Sequence, residues 1–110
     1  MRKRPKPPES YALLPEREKR HYLAYYRMVF ADGELTLETK ELIAFACSLL
    51  TGAPNCAAGH LRKLRKMGVS DAKIREAVAA ALGAGGAAIV DRADIAADAV
   101  SRSAPKRTRR

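Results

Sequence analysis

The sequence predicts an all-α domain. Apolar residues recur three and four positions apart along most of the chain, which is the spacing of one helix face. No segment shows the strict alternation of a half-buried strand, and the chain is rich in alanine, the residue with the highest helix propensity. We therefore expect about five closely packed helices within residues 11–100.

The first predicted helix starts at Pro15 and ends near Phe30. Proline suits the first helical position, and Glu16 follows it where the helix dipole favours an acid. Gly33 offers a stop beyond the helix end. The tyrosines of the chain cluster here, and we expect them to pack or to contact another subunit rather than to stack on bases: Tyr11, Tyr22, Tyr25 and Tyr26.

The second predicted helix is capped by Thr36 and ends before Gly52. Its segment 42–50 is apolar on every side, which is typical of a helix at the centre of a core or between subunits. We expect Cys47 within this segment to be a small buried residue. Glu41 lies just before it, so we expect a carboxylate that is at least partly buried and has a partner.

Three further helices are predicted. Pro54 opens the third, which Gly68 closes, and Ser70 caps the fourth. The segment 83–86, with three glycines, is predicted to break the chain before a last helix over about 87–100. The fourth helix carries a predicted buried stripe: Ile74, Ala77, Val78, Ala81 and Leu82.

The net charge of +9 belongs to the two ends of the chain. Residues 1–8 carry four basic and no acidic side chains, and residues 101–110 carry five basic and no acidic ones. The rest of the chain has equal numbers of basic and acidic side chains. We expect residues 1–10 and 101–110 to be disordered basic tails, because such segments bury too little apolar surface to offset the ordering entropy. These tails can contact nucleic acid nonspecifically, although no helix-turn-helix or zinc-finger pattern accompanies them.

Size and cysteine usage indicate a cytoplasmic homo-oligomer. A domain of 110 residues with two tails has a core of marginal size, which oligomerisation would extend. Two cysteines without a signal-peptide pattern do not form a secreted disulfide framework. The longest apolar run, residues 77–90, is too short to span a bilayer, so no membrane segment is expected.

Three side chains are candidates for a reactive thiol site: Glu41, Cys56 and His60. Cys56 falls in the first turn of its helix, where free amides and the dipole favour a thiolate. His60 follows at i+4 on the same face, and a buried Glu41 can orient its imidazole, which is the logic of nucleophile, base and orienting acid. One cysteine and one histidine do not complete a zinc site, so we expect neither a metal nor a cofactor.

The residues around this trio resemble a known family. The chain reads GELTLETKELIAFACSLLTGAPNCAAGHLRKLRKMGVSDAKIREAVAAAL over residues 33–82, which resembles the carboxymuconolactone decarboxylase family in its alkylhydroperoxidase D-like branch. That branch has a glutamate followed at a set distance by C-x-x-C-x-x-x-H and then a G-V-S-D turn. Glu41, Cys56 and His60 match the glutamate, the second cysteine and the histidine, whereas Ala53 stands at the first cysteine.

The resemblance implies an alkylhydroperoxidase D-like fold, a trimer or hexamer, and a peroxiredoxin-like antioxidant activity on a small hydroperoxide. In that scheme Cys56 would attack the peroxide, His60 would take its proton and Glu41 would support His60. The first cysteine of the branch resolves the sulfenate as a disulfide, and no residue here inherits that role. An external thiol would then be the reductant, unless the fold brings Cys47 close.

Two other functions are compatible with the sequence. The family's other branch implies a lyase acting on a small carboxylated lactone, for which Glu41 and His60 suffice in type. The basic residues after the histidine are predicted to be a solvated helix face rather than a carboxylate-binding clamp: Arg62, Lys63, Arg65 and Lys66. The third function is a noncatalytic oligomeric scaffold whose basic tails contact nucleic acid or an acidic partner.

Overall fold

The computed structural model of the protein describes residues 11–103. Four α-helices and no strand occur in that range: α1 (Glu16–Val29), α2 (Leu37–Thr51), α3 (Pro54–Lys66) and α4 (Asp71–Ser103). The predicted all-α class is confirmed. The chain divides into two compact units, one up to Leu37 and one from Glu38 onward. Most of the two predicted tails, residues 1–10 and 104–110, lies outside the described residues, and α4 continues past the predicted domain end at residue 100.

The first unit contains α1 and the turn that follows it. The helix begins at Glu16, one residue after the predicted start at Pro15, and none of its residues is fully buried. Aromatic rings line one side of it, with centroid distances of 5.4 Å, 6.3 Å and 4.4 Å between successive partners in the order Tyr11, Tyr22, Tyr26, Phe30. These ring contacts fit the packing predicted for the tyrosines, although Tyr11, Tyr22 and Tyr25 all remain exposed. Asp32 Oδ1 closes the turn by accepting from the Leu37 amide at 2.7 Å.

The helices of the second unit end and begin at turns that the sequence predicts. Gly52 and Gly68 follow α2 and α3 with φ of +72° and +77°, a conformation that favours glycine. After α3 the amide of Gly68 donates to the Arg65 carbonyl, and that of Val69 to the Leu64 carbonyl, which is a Schellman motif. Ser70 Oγ accepts from the Lys73 amide at 3.2 Å, as its predicted capping role requires.

The core of this unit lies where α2, α3 and the start of α4 meet. It consists of four buried side chains, with three half-buried ones packed against them: Phe45, Leu64, Val69 and Ile74, then Leu42, Ala57 and Leu61. Leu64 is completely inaccessible to solvent. Because these contacts join all three helices, they fix which side of α2 faces which side of α3.

The prediction of five helices is wrong by one, because segment 83–86 does not break the chain and α4 runs unbroken through it. Glycine lowers helix propensity by about 1 kcal/mol per residue but does not end a helix by itself. Gly85 instead has a packing role, since a Cβ built on it would lie 2.9 Å from Leu50 Cδ2. The absence of a side chain allows α2 to approach α4 closely.

Two burial predictions are also wrong. Cys47 is exposed, because α2 buries only the side that carries Glu41, Phe45 and Ser48, and Cys47 lies on another side. In the predicted stripe on α4, Ile74 and Ala81 are buried and Ala77 is half-buried, whereas Val78 and Leu82 are exposed. One chain of this size covers one face of each helix, and the remaining apolar faces stay uncovered.

Candidate active site

The α2 helix places Glu41 in the interior. Glu41, Phe45 and Ser48 follow one another at i, i+4 and i+7, so they share the buried face of the helix. Glu41 is only 1% exposed. The prediction of a buried carboxylate before the apolar segment is therefore confirmed, and such a group requires partners that offset the loss of its hydration.

The α3 helix supplies the partner. His60 and Leu64, one turn apart, are the buried residues of this helix. The imidazole Nδ1 lies 2.6 Å from Oε2 of Glu41, so the two side chains form a short hydrogen bond. The structure thus brings together two of the three predicted site residues, which are separated by 19 positions in sequence.

This hydrogen bond fits one neutral tautomer of His60 when Glu41 is ionised. An ionised carboxylate has only acceptor oxygens, so Nδ1 carries the hydrogen and donates to Glu41. In the neutral ring, Nε2 is then the nitrogen without a hydrogen. The pair consequently has the form of a base oriented by an acid.

Cys56, the third predicted residue, lies in the first turn of α3, one turn before His60, and its side chain is exposed. Pro54 is the first residue of the helix, and the first amide bonded along it is that of Ala57, which donates to the Ala53 carbonyl at 2.9 Å. The amides before Ala57 have no acceptor within the helix, and their partial positive charge lies in the turn that carries Cys56. The thiol is accessible to a reagent from solvent.

Lys63 lies next to this pair, a contact that the sequence did not indicate. It was predicted to belong to a solvated face, but its Nζ lies 3.7 Å from Oε1 of Glu41, the oxygen not used by His60. The side chain is half exposed and the carboxylate is buried. Its position at i+3 from His60, on the same side of α3, is the signal that could have identified it.

The polar atoms of this region are satisfied. Among residues 11–103, every buried side-chain nitrogen or oxygen has a hydrogen-bond partner. The same range contains no group of three histidine, cysteine or acidic side chains arranged to hold a metal ion. Nor does any of its helices combine the length and apolar character needed to cross a membrane.

An apolar groove lies at the other end of α2. It has a volume of about 650 Å³ and runs between the last turn of α2 and the middle of α4. Leu50, Leu82, Ile89 and Arg92 are among the side chains that line it, and Glu41, Cys56 and His60 are not. The groove is therefore separate from the polar pair.

Two known proteins are similar to this chain. The crystal structure of TM1620 from Thermotoga maritima superposes with a TM-score of 0.59 over 83% of this chain and 87% of the other, at 23% identity. That similarity concerns the fold. A protein of Paracoccus denitrificans named "Uncharacterized protein 4 in cox locus" is 44% identical over 68 residues, which are 60% of this chain and 61% of that protein. The chain thus covers less than two thirds of this relative's length.

The match to a family covers more of the chain. The sequence profile described as the carboxymuconolactone decarboxylase family matches residues 17–99, a span that contains all four helices except for one residue of α1 and the last residues of α4. The Glu41 and His60 pair and Cys56 all lie inside it. On this match, supported by the shared fold, the chain belongs to the carboxymuconolactone decarboxylase family.

Proposed function

We propose that the protein reduces a small hydroperoxide with the thiol of Cys56. The observation that supports this proposal best is the buried hydrogen bond from His60 to Glu41, one helical turn after an exposed cysteine. Thiol catalysis requires a sulfur that the substrate can reach and a base held in one orientation. The helix start adds a dipole that favours the thiolate.

The first step oxidises Cys56. His60 takes the thiol proton on Nε2, and the thiolate attacks the peroxide oxygen that bears the hydrogen. The S–O bond forms as the O–O bond breaks, and the departing alkoxide receives the proton from His60. The products are a sulfenic acid on Cys56 and an alcohol, or water when the peroxide is hydrogen peroxide.

An external thiol closes the cycle. It attacks the sulfenic sulfur, so that a disulfide with Cys56 forms and water leaves, and a second thiol then releases Cys56 as its thiol and departs in a disulfide. Ala53 occupies the position of the cysteine that would otherwise resolve the sulfenate, which is why the reductant in this scheme comes from outside the chain. Such a reductant is available in the cytoplasm, where thiols are kept reduced.

A second candidate is acid–base catalysis by Glu41 and His60 on a small carboxylated lactone, as the family name suggests. The buried Glu41 and His60 hydrogen bond involves no thiol, and the half-exposed ammonium of Lys63 beside it favours this candidate. The two candidates differ in their need for sulfur. Cys56→Ser would retain a lyase activity, while His60→Ala would lose it.

We propose further that the protein acts as a homo-oligomer. Apolar side chains along the second half of α4 are exposed in the single chain, among them Ile89, Val90, Ile95 and Val100. Helix segments of this length are marginal in water without tertiary packing. A second copy would cover them.

The activity is tested by following consumption of hydrogen peroxide and of an organic hydroperoxide, with dithiothreitol as the reductant. We expect Cys56→Ser to abolish turnover and His60→Ala to reduce it about 100-fold, the range of general acid–base catalysis. Cys47→Ser, the matched control on an exposed thiol of α2, should retain wild-type turnover. Wild-type turnover in Cys56→Ser would refute the thiol mechanism.

A further inference from the structure

The carboxylate of Glu41 has a cationic or hydrogen-bonding partner at each oxygen. Oε2 lies 2.6 Å from His60 Nδ1, and Oε1 lies 3.7 Å from Lys63 Nζ. Both partners come from α3 and are spaced i and i+3, so they face the same side chain of α2. Glu41 is therefore held between two groups of one neighbouring helix.

Lys63 differs in this respect from the other basic residues of α3. The nearest acidic partner of Arg65 is Asp71, at 4.0 Å. Arg62 and Lys66 are exposed. Two and six positions after His60, they lie on sides of α3 that face away from it, whereas Lys63 at i+3 shares its side. Of the four basic side chains after the histidine, the structure directs Lys63 to the buried carboxylate.

The charge at this site has a chemical consequence. A buried carboxylate needs a compensating positive charge, and an imidazolium would supply one. A proton held on both nitrogens of His60 would leave no lone pair to accept the thiol proton. The ammonium of Lys63 supplies a positive charge at the other oxygen of Glu41, 3.7 Å away, without a second proton on the ring.

We propose that Lys63 is a positioning residue for this site. Its ammonium holds Oε1 of Glu41, which keeps Oε2 opposite Nδ1 of His60 and leaves Nε2 as the acceptor nitrogen. The use of Nε2 to take the proton of Cys56 rests on the proposed function. The ion pair of Lys63 with Glu41 does not depend on that function. Nor does the effect of this ion pair on the tautomer of His60.

The test is the tautomer of His60 in the full-length protein, measured by long-range ¹H–¹⁵N NMR spectra at constant pH. Lys63→Met removes the ammonium and keeps most of the stem, whereas Lys63→Arg keeps the charge. Lys66→Met is the matched control on the same helix. His21, exposed on α1, is the other histidine of the chain and provides an internal reference in every spectrum.

We expect the wild-type ring to carry its hydrogen on Nδ1. Lys63→Met should lower the ratio of the Nδ1–H to the Nε2–H tautomer about threefold, the size of effect expected for a half-exposed ion pair. Lys63→Arg should restore the ratio, and Lys66→Met should not change it. A wild-type ratio in folded Lys63→Met overturns the proposal. If circular dichroism shows that Lys63→Met does not fold, Lys63→Gln is judged by the same criteria.

The rate of Cys56 oxidation by hydrogen peroxide links the tautomer to catalysis. It should fall in Lys63→Met by a factor similar to the change in tautomer ratio, and it should recover in Lys63→Arg. A changed ratio with an unchanged rate overturns the catalytic part of the inference. A wild-type Cys56 that does not react with peroxide refutes the proposed function, while the NMR result still decides whether Lys63 holds Glu41.

Discussion

Glu41 and His60 are polar side chains in the interior of the helical unit formed by residues 38–103, with exposures of 1% and 8%. Polar groups are buried at a cost unless they are paired, and a lost partner leaves the remaining one unsatisfied. The 2.6 Å contact between them and the ammonium of Lys63 offset that cost. Each of the three residues should therefore affect both stability and reactivity.

Glu41→Gln removes the negative charge of the carboxylate and keeps the shape of the side chain. The amide oxygen can still accept from Nδ1 of His60, but the negative charge that stabilises the protonated ring during proton transfer is lost. We expect the rate constant for oxidation of Cys56 by hydrogen peroxide to fall about 10- to 100-fold, as for carboxylates that orient metal-binding histidines. Stopped-flow measurement under pseudo-first-order conditions gives this constant.

Glu38→Gln is the control for this substitution. Glu38 also lies on α2, and its carboxylate pairs with Lys73 at 2.9 Å rather than with His60. Its replacement should leave the rate constant within about twofold of the wild type, because it pairs at the partly exposed surface. Equal rates for Glu41→Gln and the wild type would show that the buried carboxylate has no part in the reaction.

Sequence reasoning succeeded for the residues whose surroundings are local. Glu41 precedes an apolar segment, so its burial could be predicted, and the spacing of Cys56 and His60 placed them on one helix face. Lys63 could not be distinguished from Arg62, because both are basic residues one position apart. Only the packing of α2 against α3 shows which of them meets the carboxylate.

At the level of the elements, α4 is the least expected feature. It continues from Asp71 to Ser103 through three glycines, each of which weakens a helix. The close approach of Leu50 to Gly85 indicates that a contact with α2 compensates for part of that weakness. The three glycines should consequently differ in their tolerance of a side chain.

Gly83→Ala and Gly85→Ala test this difference. A Cβ on Gly83 meets nothing within 4 Å, so the alanine should raise the free energy of unfolding by about 1 kcal/mol through helix propensity. A Cβ on Gly85 would lie 2.9 Å from Leu50 Cδ2, and the displaced side chain should cancel part of that gain. Urea unfolding at constant protein concentration measures both values.

Leu50→Ala provides the matched background. In that variant the Leu50 side chain no longer obstructs residue 85. Gly85→Ala should then raise the free energy of unfolding as much as Gly83→Ala does. The effects of Leu50→Ala and Gly85→Ala would therefore not be additive, as expected for residues in contact. Equal gains for both alanines in the wild-type background would contradict the packing role of Gly85.

The helix ends were predictable and the continuity of α4 was not, for one physical reason. Gly52, Gly68 and Ser70 act through their own backbone or side-chain hydrogen bonds, which depend on a few neighbouring residues. Whether segment 83–86 is helical depends on contacts with α2, which is distant in sequence. Propensity is a weak prior that such tertiary contacts override.

For the whole molecule, the exposed apolar surface is the main unexplained property of the single chain. Every residue from 91 to 100 is exposed, and Ile89 and Val100 remain 66% and 69% accessible. These two residues share one face of α4, with Ala93 and Ala96 between them, while Asp91, Asp94 and Asp98 occupy the opposite face. An amphipathic helix of this kind requires a covering partner.

Light scattering after size-exclusion chromatography tests the expected oligomer. The chain has a mass of 12.0 kDa, so we expect a mass about three or six times larger at micromolar concentration. Val100→Glu should lower that mass by placing a charge on the apolar face. Asp94→Lys, on the opposite face, is the control and should not change it. A wild-type mass of one chain would contradict the proposed assembly.

The proposal that Cys56 is a reactive thiol rests on His60, hydrogen-bonded to Glu41, one helical turn after it. Its most direct test uses Cys47, the other exposed cysteine, as a reference within the same molecule. The protein is treated with one equivalent of hydrogen peroxide, the sulfenic acids are trapped with dimedone, and the modified peptides are quantified by mass spectrometry. We predict that Cys56 is modified at least about 10-fold faster than Cys47 in the wild type, and that His60→Ala removes this preference. Equal modification of the two cysteines, or a preference for Cys56 that persists in His60→Ala, would contradict the claim.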